Sequence, residues 1–141
     1  MKRIGGVIVS HGRVANELLS AAETVVGGLD HIIAVSIGWH DDVEIAKGEI
    51  ERAINNVSAG AGVILLTDMF GGTPTNISAM FLEKDEVEIV TGVNLPMLIK
   101  LASLNEEMNL NDAAKVVEQQ GKDAIQRTSA LLEPQKLKKD A

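Results

Sequence analysis

The chain has 141 residues, a formal net charge of −7, no cysteine and no tyrosine. That length suits one domain with a full core, and the acidic balance argues against a nucleic-acid partner, whose phosphates need a basic face. The lack of cysteine excludes disulfides, thiolate catalysis and cysteine zinc sites. No stretch is long enough to span a bilayer. The first apolar run is short, contains Gly5 and Gly6, and breaks at Ser10-His11. It reads as a core strand rather than a signal peptide, so the expectation is a cytoplasmic protein with no membrane insertion.

In chain order, residues 4–9 read as a buried strand. Residues 13–26 place Val14, Ala15, Leu18, Leu19, Ala22, Val25 and Val26 at helical spacing, and Gly27-Gly28 stops that helix. Residues 31–37 are a second β-rich run. Asp41 with Glu44 predicts a capping box for a helix with the stripe Ala46, Ile50, Ala53, Ile54 and Val57. A third strand follows at 62–67. Thr73 as N-cap and Pro74 as first helical residue then predict a short helix with Ile77, Met80 and Phe81 inward.

A fourth strand is expected at 87–91, and Asn94 caps a helix from 95 to about 103, with Pro96 tolerated in its first turn. Asn109 or Asn111 starts a last helix ending near Gly121. From 122 to 132 the apolar spacing fits helix or strand equally. Lys136, Lys138 and Lys139 mark residues 133–141 as a basic tail behind a single 1–132 domain.

Continuous apolar strands alternating with helices predict an α/β fold, a doubly wound, mostly parallel open sheet covered on both faces. Such sheets bind ligands beyond the C-terminal ends of their strands. Two apolar runs end there in chemistry-bearing residues: Val7-Ile8-Val9-Ser10-His11-Gly12, and Val63 to Thr67 followed by Asp68-Met69-Phe70-Gly71-Gly72-Thr73. Alone, His11 could be structural and Asp68 a turn-former. If the runs are neighbouring strands, Asp68 accepts Nδ1–H of His11, fixes the tautomer and leaves Nε2 as an outward nucleophile.

The candidate catalytic pair is therefore His11 and Asp68. The candidate phosphate-binding groups are Gly12, Gly71, Gly72, Thr73 and Ser10, which supply backbone N–H groups and hydroxyls near helix starts. Thr67 is a further candidate donor. Arg13 reads as an exposed charge, and His31 and His40, with no ligand spacing, read as surface residues. No metal and no cofactor is expected. Met69, Phe70 and Trp39 predict an apolar rim suited to docking proteins rather than a sugar.

Other phosphate chemistries do not fit. A P-loop needs Lys after its glycines, where this chain has Thr73-Pro74. A receiver domain needs an acidic pair after strand one, and a histidine phosphatase an Arg where Ser10 stands. No G-x-S-x-G is present.

Taken together, the segments VIVSHGRVANELLSAAE, GVILLTDMFGGTPTN and EIVTGVNLPMLIKL resemble the mannose-type IIA component of the bacterial phosphoenolpyruvate:sugar phosphotransferase system. The resemblance implies phosphorylation of His11 on Nε2, Asp68 bonded to the other ring nitrogen, and the 71–73 loop beside the phosphoryl group. It implies the histidine phosphocarrier protein as donor and a histidine on a IIB component as acceptor. It also implies a homodimer that exchanges a C-terminal antiparallel strand, which selects strand for residues 122–132. Unlike the sugar-transporting members that it resembles, this chain is expected to lack a fused IIB domain. A free-standing IIA of this kind serves a separate IIB in sugar uptake or acts as a regulatory phosphoacceptor, and the sequence leaves both open.

Overall fold

The computed structural model describes residues 3–38, 42–105 and 107–132. The elements run β1 (Gly5–His11), α1 (Val14–Val26), β2 (Ile32–Ile37), α2 (Val43–Val57), β3 (Val63–Thr67), α3 (Gly72–Ser78), a 3₁₀ turn (Ala79–Phe81), β4 (Val87–Thr91), α4 (Leu95–Ala102) and α5 (Leu110–Asp123). The strands form one parallel sheet in the order β2-β1-β3-β4. From β1 the chain winds first to one side, into β2, and then returns past β1 to β3. The switch in winding direction therefore falls between β1 and β3, where an open α/β sheet leaves a crevice.

Strand alternation builds two cores. Ile8, Ile64 and Leu66 face α1, α4 and α5, meeting Ala15, Ala22, Leu98, Leu101 and Val117. Val7, Val9, Val63 and Leu65 face the other way, onto Ala46, Ile50, Ala53 and Val57 of α2 and Ile77 of α3. Successive side chains on a strand point to opposite faces, so strands buried on both faces need the unbroken apolar runs seen in the sequence. The α/β architecture with helices on both faces is as the sequence predicts.

Several local readings are corrected. The α2 cap is Asp42, whose carboxylate accepts the Glu44 N–H at 2.8 Å; Asp41 lies outside the described residues. Thr73 lies inside α3 instead of capping it. Gly71 is the N-cap at φ 90° and Gly72 follows at φ 84°, so two glycines with positive φ make the turn. Met80 is exposed, because the helix tightens into the 3₁₀ turn and its inward face shifts phase. His31 is buried: its carbonyl accepts the Gly6 N–H at 2.9 Å, drawing it into the first rung beside β1.

The expected strand at 122–132 is not formed within the single chain. Helix α5 continues through Gly121 to Asp123, and residues 128–132 are helical, with the Ala130 and Leu131 amides donating to the Arg127 carbonyl. Gly121 is a contact, not a stop. A Cβ there would lie 2.5 Å from Met97 Sδ, so its absence lets α5 lie close against α4. The basic tail, 133–141, lies outside the described residues.

Candidate functional site

His11 is the last residue of β1 and Asp68 the first after β3, so the pairing of those strands brings them together across the crevice. Asp68 Oδ2 accepts the backbone N–H of His11 at 2.9 Å and lies 2.8 Å from its Nδ1. An ionised carboxylate only accepts, so Nδ1 carries the hydrogen and Nε2 keeps its lone pair. The Asp68 side chain is 15% exposed and that of His11 46%. Burial pushes the Asp68 carboxyl up. The hydrogen bonds from the His11 amide and ring, the electrostatic pull of the His11 ring and Asp68's own amide together outweigh burial, and the net shift is below the ordinary 3.8.

Gly72 lies against the other side of the imidazole. A Cβ at this position would come within 3.2 Å of both Cε1 and Nε2 of His11, and its φ of 84° independently favours glycine. The first residue of α3 thus lies at the nucleophilic edge of the ring. Gly12, at φ 50°, turns the chain from β1 into α1, and Gly71 and Thr73 flank Gly72 on the rim.

Ser10 does something else. Neighbours on a strand point to opposite faces. His11 shares the face of α3, while Ser10 points toward α1, fully buried, with Oγ accepting the Ala15 N–H at 2.7 Å. It satisfies an open amide at the start of α1, where Arg13 makes no side-chain cap. Arg13 pairs with Glu17 at 3.6 Å, both exposed. Thr67 is also fully buried. Its carbonyl accepts the Gly92 and Val93 amides, tying the ends of β3 and β4 together.

Sequence reasoning missed Thr75. Its hydroxyl donates to the Met69 carbonyl and shares a 3.2 Å hydrogen bond with Thr67 Oγ1. This clamps the loop between Asp68 and α3, the segment that must hold Gly72 against His11. A hydroxyl in the first turn of a helix that follows a glycine-rich loop was the available signal. Above the loop Met69 is exposed and Phe70 is 86% exposed. A cavity of about 630 Å³ opens beside the rim along β4, lined by Phe70, Thr75, Leu82, Ile89, Asn94 and Ile125 among others. Trp39 and His40 lie outside the described residues. Among the described residues no three His, Asp or Glu side chains converge as metal ligands, and no helix is long and apolar enough to cross a membrane.

The model of the EIIA-man family, described as the PTS system fructose IIA component, matches residues 5–118. The chain belongs to this family. The fructose-specific EIIA component of Bacillus subtilis (strain 168) is 28% identical over 131 residues, covering 92% of this chain and 90% of that protein. The mannose-specific EIIAB component of Escherichia coli (strain K12) is 29% identical over 131 residues, which cover 88% of this chain but 39% of that longer protein. Among solved structures, the IIA protein associated with the fucose utilization operon of Streptococcus pneumoniae superposes with a TM-score of 0.79 at 27% identity, covering 94% of this chain and 99% of that one. The mannose/sorbose-specific IIA subunit of Enterococcus faecalis gives a TM-score of 0.77 at 28% identity, covering 89% and 94%. The relatives that the chain resembles are thus IIA components of the phosphotransferase system named for fructose, mannose or sorbose.

Proposed function

We propose that this IIA protein carries a phosphoryl group on Nε2 of His11, taking it from the histidine phosphocarrier protein and passing it to a IIB component for sugar uptake. The observation that carries the reading is the grip of Asp68 Oδ2 on both the amide and Nδ1 of His11, which leaves Nε2 as the free edge of the ring. In the step, the Nε2 lone pair forms the new P–N bond as the donor's P–N bond breaks, and the electron pair returns to the donor nitrogen. The proton on Nδ1 stays in place. Positive charge therefore builds on the ring, and the adjacent carboxylate, already favoured in its ionised form, offsets it. The same charged ring is a good leaving group for the onward transfer. Positioning and charge neutralisation supply most of the catalysis in such transfers.

Backbone groups of Gly12, Gly71, Gly72 and Thr73 are the phosphoryl-binding partners in this proposal. Support comes from Gly72, whose backbone borders Nε2. Met69 and Phe70 give the donor and acceptor proteins an apolar surface to bury. The reaction runs in the cytoplasm, where the phosphocarrier resides. The protein acts as a homodimer: β4 is the outer strand of the sheet, and Ile125, Leu131 and Leu132 are exposed.

The test is phosphoryl transfer from phosphoenolpyruvate through the general phosphotransferase enzyme and the histidine phosphocarrier. Wild-type protein takes up acid-labile, base-stable label, and His11→Ala takes up none. Undiminished labelling of the variant contradicts the assignment.

A further inference from the structure

The end of the sheet opposite His11 holds a second polar cavity, of about 120 Å³, lined by Arg3, His31 and Asn105 and walled by Ile4, Leu101 and Leu104 among others. His31 is 8% exposed, and its Nδ1 is buried with no hydrogen-bond partner. Asp30 Oδ1 lies 3.8 Å from that nitrogen, beyond hydrogen-bond reach. Native interiors leave few such groups unpaired, and the proposed phosphotransfer gives this one no role.

The polar side chains lining the cavity are donors. Arg3 presents a guanidinium. Asn105 has its Oδ1 occupied by the Glu107 N–H at 3.0 Å, which leaves its amide NH₂ to offer. The His31 ring donates from both nitrogens once protonated. Of the carbonyls at the end of α4, those of Lys100 and Leu101 accept from the Ser103 and Leu104 amides.

We propose that this cavity is a binding site for one small oxyanion, a phosphate or carboxylate group, held by Arg3, His31 and Asn105. The Asp30 carboxylate pairs with Arg3 Nη1 at 3.1 Å from a position 90% exposed. Exposed pairs of this kind are weak, and an entering anion displaces it. Arg3 and Asp30 are the charged groups facing His31 among the described residues. Burial, and then the Arg3 charge, hold the His31 pKa below 6.5, with Asp30 opposing. A bound anion stabilises the protonated ring and raises that pKa.

The experiment follows the His31 ring by NMR through a pH titration of the full chain in chloride, then at equal ionic strength in millimolar inorganic phosphate or acetate. A rise in the His31 pKa with either anion is expected, a response to only one identifying the group as phosphate or carboxylate. Arg3→Gln should abolish the rise, and Asp30→Asn, an exposed change that leaves the core intact, should lower the half-saturating concentration several-fold. His11→Ala should leave the response unchanged, which separates this site from the phosphotransfer reading. Identical titrations in chloride and in both anions overturn the proposal, as does a rise that persists in Arg3→Gln.

Discussion

Asp68 Oδ2 accepts from both the main chain and the ring of His11, so the end of β1 and the imidazole are fixed by one atom. In the proposed transfer, replacing it would free the tautomer and remove the charge that offsets the phosphorylated ring. Asp68→Ala should fold and should slow transfer by about 10- to 100-fold, the usual cost of losing an orienting partner; single-turnover kinetics with the phosphorylated carrier measures it, and a wild-type rate contradicts the role. A pH effect follows. The folded-state pKa of Asp68 is lowered, so its contribution to stability is present above the ordinary 3.8 and is lost as pH falls through the lowered value. Acid-unfolding curves should be flatter over that range in the variant. His11 and Asp68 were legible because each follows directly on an unbroken apolar run. Ser10 was misread although alternation along β1 already turned it from the face of His11. His31 was misread because its burial follows from pairing beside β1, where its carbonyl accepts the Gly6 N–H, and not from any ligand spacing.

At the scale of elements, most boundaries followed from apolar spacing and caps. Asn94 caps α4, accepting the Met97 N–H at 3.2 Å, and Asn109 caps α5, accepting the Asp112 N–H at 2.8 Å. The start of α3 was less legible, because two positive-φ glycines can make a turn without any capping side chain. That start positions the site, and Gly72 is its most constrained residue. Gly72→Ala should lower stability by about 1–2 kcal/mol, the cost of left-handed backbone for a residue with a Cβ. It should also displace the His11 ring, whose Cε1 and Nε2 would lie 3.2 Å from the new carbon. Denaturant unfolding reads the first effect and the His11 ring resonances the second; unchanged resonances would show that the loop does not border the reactive edge. The C-terminal segment was illegible for another reason. Its apolar residues satisfy either period, and only its surroundings choose.

The whole molecule sets its chemistry where the winding of the sheet reverses, between β1 and β3, and leaves β4 as an outer strand beside a large cavity. In the proposed homodimer, the second copy would cover that edge and the exposed Ile125, Leu131 and Leu132. Sedimentation at micromolar concentration should give twice the chain mass; a monomer there contradicts the homodimer.

In the proposed transfer, Asp68 directs phosphorylation to one nitrogen of one histidine. Heteronuclear NMR of ring-labelled, phosphorylated protein reads it directly. The expected spectrum couples phosphorus to Nε2 of His11, with Nδ1 still protonated and bonded to Asp68. Phosphorus on Nδ1, or on any other residue, would contradict the account.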